Sequence, residues 1–142
     1  MPLQQPADTS SYGRKPWPSP SVVVMGSSGR AAVEDLIDRF GAAWNAHDLD
    51  AALALCTDDI AFESTGPAPD GERSEGQSAV RVAWRPIFEN TDASFITEDL
   101  FVADDRVLTR WRYEWGDGHV RGVDVIRVRN GKVAEKLSYV KG

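Results

Sequence analysis

The sequence predicts an α+β domain in which helices come first and strands follow. Apolar residues recur every three or four positions between residues 31 and 56, and every second position after Asn90. Three short turn segments divide the second region into four strands, an order typical of an antiparallel meander. We therefore expect helices packed against one face of a curved antiparallel sheet.

The first helical pattern begins at Ala31, after a Ser28 that suits an N-cap. Its apolar residues are Val33, Leu36, Ile37, Phe40, Ala43 and Trp44. Asp48 predicts the cap of a short second helix whose apolar face includes Cys56. A third helix is expected over residues 77–88. Its core-facing residues are Val80, Ala83, Trp84, Ile87 and Phe88.

The strand pattern starts after a turn predicted at residues 57–59, with a first strand over residues 60–64. The polar segment 65–76 is rich in Gly and Pro and predicts a loop. Four further strands are expected at residues 93–102, 106–115, 119–129 and 132–140. Asn130-Gly131 is the strongest hairpin signal, because both residue types tolerate a positive φ.

The start of the chain differs in composition from the rest. Residues 1–29 hold five of the eight prolines, and proline interrupts regular backbone pairing. We expect a disordered leader over 1–29 and one domain over 30–142. Met25 directly precedes the domain, which suggests that the physiological start lies there.

Charge and composition exclude several functional classes. The chain carries 16 Lys and Arg against 22 Asp and Glu, a net charge of −6. This acidic balance argues against binding to nucleic acid or to an anionic membrane surface. No apolar run approaches the ~20 residues of a membrane span, and no signal segment is evident. We therefore expect a cytoplasmic protein with no nucleic-acid or membrane partner.

Thiol, metal and cofactor chemistry are not expected. Cys56 is the single cysteine, so it is interpreted as a buried structural thiol. His47 and His119 have no partner at a metal-ligand spacing. The sequence contains no Gly-rich nucleotide-binding motif. We therefore predict no metal and no cofactor.

One strand face carries a single carboxylate among apolar positions. The face is formed by Val120, Gly122, Asp124, Ile126 and Val128. A carboxylate in such a face is costly unless it is paired, protonated or exposed to a cavity. Asp124 is therefore interpreted as an acid or base at the bottom of a pocket. The alternative is a structural acceptor that an Arg or a Trp satisfies.

The preceding strand places three aromatic residues on one face. That face is formed by Val107, Thr109, Trp111, Tyr113 and Trp115. It could line an apolar cavity with Tyr113 as a polar handle, or form a core or dimer-interface stripe. Trp44 and Trp84, on separate helices, belong to the core or to pocket walls. Glu135 alternates with apolar residues of the last strand and is a secondary pocket candidate.

Three segments of the sequence carry a family pattern. They are residues 40–50 (FGAAWNAHDLD), 57–60 (TDDI) and 122–133 (GVDVIRVRNGKV). Together they resemble the nuclear transport factor 2-like superfamily, and within it the SnoaL-like branch, which includes polyketide cyclases. Ketosteroid isomerases and limonene epoxide hydrolases are relatives. The likeness covers about residues 30–142.

The resemblance implies a cone-shaped curved antiparallel sheet wrapped around an N-terminal helix, with two further helices and an apolar pocket inside. It also implies a homodimer formed through the sheet. Asp124 matches the acid of the ketosteroid isomerases and the acid/base aspartate of SnoaL-like cyclases. Phe40 and Ser64 stand where the isomerases have a tyrosine and the general-base aspartate. The isomerase mechanism is therefore not expected.

We hypothesise a cofactor-free isomerase, cyclase or hydrolase that binds a small, largely apolar molecule, polycyclic ones included. Asp124 would act as acid/base, with Tyr113 and Ser64 as further catalytic residues. The predicted pocket residues are Phe40, Trp44, Phe62, Trp84, Trp111, Val120 and Ile126. The alternative is a noncatalytic small-molecule-binding or dimerisation module of the same fold.

Overall fold

The structure is a computed structural model that describes residues 27–142. Its first helix is α1 (Ser27–Asn45). It begins four residues before the expected start at Ala31 and so includes the last residues of the expected leader. The rest of that leader, with the suggested start at Met25, lies outside the described residues.

Two shorter helices follow α1. In α2 (Leu49–Ala54), the side chain of the N-cap residue Asp48 accepts a hydrogen bond from the backbone of Ala51 at 3.0 Å, so the predicted cap is confirmed. The third helix, α3, spans Gln77–Glu89. The first residue of α3 donates from its side-chain nitrogen to the carbonyls of Leu53 and Thr57, at 3.0 and 3.1 Å, and so joins three elements.

Within residues 27–142, six strands form one curved, unclosed sheet. They are β1 (Cys56–Glu63), β2 (Arg73–Glu75), β3 (Ala93–Ala103), β4 (Arg106–Trp115), β5 (Gly118–Arg129) and β6 (Lys132–Val140). Their order across the sheet is β2-β1-β6-β5-β4-β3. The predicted meander of β3 to β6 is confirmed, and Asn130 and Gly131 at its last turn both have positive φ. The sheet is mixed, because β1 runs parallel to β6.

The start of β1 differs from the prediction. Residues 57–59 were expected to form a turn and Cys56 to lie on a helix, and both expectations are wrong. Cys56 pairs with Val133 of β6, and its side chain is buried in the core. Pairing with a strand 77 positions later is a tertiary constraint that the local residue pattern does not contain.

The expected loop over residues 65–76 contains the short edge strand β2, so it is not all loop. Arg73 holds this strand to β1 by donating to Glu63 at 2.8 Å, and it also donates to Glu75 within β2 at 2.8 Å. The hydrogen bonds to Glu75 and then Glu63 raise the pKa of Arg73. Three polar residues in a row carry no apolar alternation, which is why the strand escapes pattern analysis.

A bulge in β6 changes which of its side chains face the helices. Arg127 of β5 pairs with Glu135, but the next residue, Val128, pairs with Val133, so Ala134 has no partner across the strands. The extra residue shifts the alternation by one position. Lys136 and Ser138 therefore face the core and are buried. Glu135 faces away, 3.7 Å from Arg73, and its assignment as a pocket candidate is wrong.

The core lies between α1, α3 and the inner face of the sheet. Asn45, the last residue of α1, fixes the helix to the edge strand β3. Its side-chain nitrogen donates to the carbonyl of Phe95 at 2.9 Å, and its side-chain oxygen accepts from the Phe95 backbone nitrogen at 2.8 Å. The helix therefore keeps a fixed position over the concave face.

Candidate functional site

Two neighbouring cavities lie between α1 and the inner face of the sheet. The first, here called the Asp124 cavity, has a volume of about 60 Å³. The second, the Tyr113 cavity, has a volume of about 200 Å³. Four side chains line both cavities: Trp44, Phe95, Trp111 and Lys136. These shared walls make the cavities adjoining compartments of one region.

Asp124 is buried, with 7% of its surface exposed, and it lies on the wall of the smaller cavity. Ser138, its partner across the β5–β6 pair, donates a hydrogen bond to Asp124 Oδ1 at 2.7 Å. The ammonium nitrogen of Lys136 lies 3.3 Å from Asp124 Oδ2. The same nitrogen donates to Ser138 Oγ at 2.9 Å. The three side chains form a closed polar network within an apolar region.

The Lys136 ammonium is itself buried and has an aromatic surround. Its nitrogen lies 4.8 Å from the ring centre of Trp44 and 5.1 Å from that of Phe62. Aromatic faces attract cations, most strongly when water is excluded. The rings and Asp124 together compensate for the removal of the ammonium from water. The alternative interpretation of Asp124 named an Arg or a Trp as its partner, but Lys136 and Ser138 are its partners.

Trp111 and Trp44, whose side chains line both cavities, carry donors without partners. Within residues 27–142, the indole nitrogens of both side chains are buried and have no hydrogen-bond partner. A buried N–H without an acceptor is uncommon in folded proteins. The site therefore holds more donors than the protein's own acceptors use.

Comparison with known proteins identifies the family of this fold. A family model described as the SnoaL-like domain matches residues 37–136. The chain belongs to the SnoaL-like domain family. No protein in a search of curated proteins matches it.

Solved structures share the fold of this SnoaL-like domain. An NTF2-like (nuclear transport factor 2-like) protein of unknown function from Mesorhizobium loti is 38% identical, with a TM-score of 0.72 over 79% of this chain and 93% of that one. An NTF2-like protein of unknown function from Burkholderia xenovorans LB400 is 20% identical, with a TM-score of 0.68 over 79% of this chain and 84% of that one. A computationally designed 17-OHP binder is 24% identical, with a TM-score of 0.67 over 78% of this chain and 91% of that one.

The two further residues predicted to be catalytic do not join Asp124 in this SnoaL-like domain. Both line the larger cavity, whereas Asp124 lines the smaller one. The Ser64 hydroxyl donates to the carbonyl of Gly66 at 2.6 Å and accepts from the backbone of Glu72 at 3.0 Å, so it holds the loop. Tyr113 packs on Phe95 with ring centres 4.5 Å apart.

Six of the seven predicted pocket residues line a cavity. Phe40 and Ile126 line the Asp124 cavity, Phe62 and Val120 line the Tyr113 cavity, and Trp44 and Trp111 line both. Trp84 lies in neither wall. It is fully buried in the core among Phe40, Trp44, Phe62 and Phe88.

Sequence reasoning missed the residue that pairs with Asp124. A lysine in a strand is most often exposed, so the residue pattern does not indicate Lys136, and the bulge at Ala134 reverses the direction of its side chain. Phe95 was also missed, although its place in an alternating strand was available as a signal. In the SnoaL-like domain it links the ring of Trp44 to that of Trp111.

Cys56 and Asp59 of the SnoaL-like domain are not among the residues that line either cavity. Burial raises the pKa of the Cys56 thiol to about 12, against the opposing attraction of Lys136. A hydrogen bond from Arg129 lowers the pKa of Asp59, a surface residue. Across residues 27–142, no group of three His, Cys, Asp or Glu side chains could hold a metal ion. None of the described helices is long and apolar enough to cross a membrane.

Proposed function

We propose that this SnoaL-like domain binds a small, largely apolar molecule in the two adjoining cavities. The observation that carries the proposal is their shared wall of Trp44, Phe95, Trp111 and Lys136. Pockets for small molecules combine apolar and aromatic walls with a few polar groups that fix orientation. Here the network of Asp124, Lys136 and Ser138 supplies those polar groups.

The size of the cavities favours ligands smaller than polycyclic molecules. A cavity of ~150 Å³ in another protein binds benzene, and the larger cavity here measures about 200 Å³. One or two rings would therefore fill the site without large movement of its walls. A protein-observed NMR screen with one- and two-ring aromatic fragments tests this. Shifts confined to Trp44, Trp111 and their neighbours support the proposal, and shifts scattered over the surface contradict it.

We further propose that Asp124 accepts a proton from the bound molecule. The carboxylate lies on a cavity wall and is held in place by Ser138, so its orientation is fixed before a ligand arrives. General-base catalysis by a positioned carboxylate contributes typically ~10²–10⁴-fold. Neither Phe40 nor Ser64 offers the tyrosine and carboxylate that the ketosteroid isomerase mechanism needs, so this proposal is limited to Asp124.

A two-ring probe with an acidic C–H tests this base. In 5-nitrobenzisoxazole, the base removes the C–H proton, the N–O bond breaks, and a nitrile and a phenolate form. Asp124→Asn should reduce this reaction by ~10²–10⁴-fold, whereas Glu135→Gln, on the opposite face, should not. An equal rate in Asp124→Asn and the wild type would refute proton transfer by Asp124.

A noncatalytic binding module is the second candidate. Both oxygens of Asp124 already have partners, and Tyr113 and Ser64 lie on the other cavity. This candidate predicts that fragments bind with equal affinity to the wild type and Asp124→Asn, and that neither turns over the isoxazole. The two candidates therefore differ in one measurable rate.

We also propose that two copies pair through the outer face of the sheet. Cross-strand partners on this face include Phe101 with Leu108 and Val123 with Tyr139, and three of these four are exposed. Exposed apolar patches of this kind mark interaction surfaces. Light scattering should give twice the chain mass, and Leu108→Arg should give the monomer mass. A monomeric wild-type protein would exclude the dimer.

A further inference from the structure

Among residues 27–142, the Lys136 ammonium and two indole groups at the cavities have N–H donors without acceptors. An ammonium group has three N–H donors. One N–H of Lys136 bonds to Ser138 Oγ, and Asp124 Oδ2 lies 3.3 Å from the same nitrogen. No third oxygen within residues 27–142 accepts from it. In the described part of the chain, the indole donors of Trp44 and Trp111 also have no acceptor.

Both oxygens of the Asp124 carboxylate already face donors. Asp124 Oδ1 accepts from Ser138, and Oδ2 faces Lys136. A cationic ligand would meet the Lys136 ammonium before it found a free carboxylate oxygen. A ligand oxygen would instead give acceptors to donors that have none, and this relieves the cost of burying them.

We propose that the site recognises a one- or two-ring aromatic molecule through a carbonyl or carboxylate oxygen that accepts from Lys136 and from a tryptophan indole N–H. This inference rests on the ligand-binding function proposed above and specifies its ligand class. The rings pack against the aromatic walls, and the oxygen turns toward Lys136. Because Lys136 lines both cavities, a ligand in either compartment can direct its oxygen toward the ammonium group.

Four naphthalene probes of matched shape test the proposal: 2-acetylnaphthalene, 2-naphthoate, 2-methylnaphthalene and 2-naphthylmethylammonium. Their dissociation constants are measured by quenching of tryptophan fluorescence and checked by calorimetry. The acetyl and carboxylate probes should bind about tenfold more tightly than the methyl probe, since each gains a charge-assisted hydrogen bond. The ammonium probe should bind most weakly.

Two variants assign the preference to its donors. The double variant Asp124→Asn with Lys136→Met removes the ammonium without leaving a buried carboxylate unpaired. It should keep the affinity for 2-methylnaphthalene and lose most of the preference for the oxygen probes. Trp111→Phe keeps an aromatic ring but removes its N–H, and should lose part of the preference. Lys132→Met, an exposed lysine on the same strand, is the matched control and should behave as the wild type.

The possible outcomes separate the two proposals. If none of the four probes binds, the ligand-binding function and this inference both fail. If all bind with similar affinity, or the ammonium probe binds best, the cavity function stands and oxygen recognition is refuted. If the preference persists in the double variant, Lys136 is not the recognising group and the inference is equally refuted.

Discussion

Trp111 of β4 lies across Gly122 of β5 so closely that a side chain at Gly122 would collide with its indole ring. A Cβ there would also strike the backbone oxygen of Tyr139. Trp111 lines both cavities. The shape of the candidate site therefore depends on a residue that has no side chain.

Gly122→Ala should destabilise the fold and displace Trp111. Forcing a methyl group into a packed region costs about 1–3 kcal/mol, and the backbone of β6 cannot move aside easily. Urea unfolding gives the free energy, and near-UV circular dichroism reports the Trp111 environment. Gly41→Ala is the control, because a Cβ at this helical position meets no atom of the described residues within 4 Å. Equal losses in both variants would contradict the packing argument.

Removing one member of the buried ion pair should cost more than removing both. Lys136→Met leaves Asp124 without its ammonium partner, a change worth about 3–5 kcal/mol in buried pairs. The double variant with Asp124→Asn should recover much of that loss, because no buried charge is left. A double-mutant cycle in urea measures the coupling. Additive losses would show that the two side chains do not stabilise one another.

Asn45→Ala should loosen the junction between α1 and β3. The substitution removes both hydrogen bonds to the Phe95 backbone, and at this exposed position the loss should be about 1–2 kcal/mol. Hydrogen exchange should accelerate at the Phe95 amide more than at amides of β5. Asn90→Ala serves as the comparison, since its contact with the Tyr113 hydroxyl is long, at 3.5 Å. Unchanged exchange at Phe95 would count against the proposed role of Asn45.

Cys56 should be unreactive in the folded protein and should make stability decline at alkaline pH. Burial raises its pKa from 9.0 to about 12, so above pH 9 the unfolded chain releases a proton that the folded chain keeps. The contribution of this thiol to the free energy of unfolding is therefore fully present below pH 9. It is lost between pH 9 and 12, by at most about 4 kcal/mol. Cys56→Ser, which cannot form a thiolate, should show a smaller decline.

Thiol reactivity gives an independent check on Cys56. A disulfide reagent such as dithiobis(nitrobenzoate) should label the native protein slowly and the guanidinium-unfolded protein at once. Fast labelling of the native protein, or equal alkaline decline in the wild type and Cys56→Ser, would show that the thiol is accessible.

The sequence predicts the meander well because its signals are local. Alternation places Asp124 on an apolar face, and Asn130-Gly131 defines a turn; the structure confirms both. It fails where pairing is remote. Nothing near Cys56 reveals that it lies beside Val133, and no pattern reveals that Ala134 is a bulge. The sequence therefore predicts the unusual position of Asp124 but does not predict its partner Lys136.

The central position of β6 has a consequence for how the chain reaches its native state. This strand lies between β1 and β5, so the N-terminal elements and the hairpins of β3 to β5 have no sheet contact until it is inserted. Such non-local pairing slows folding, because a long loop must close before the contact stabilises it. During synthesis, the edges of β1 and β5 stay unpaired until β6 has been translated. That interval is when the protein is most open to aggregation.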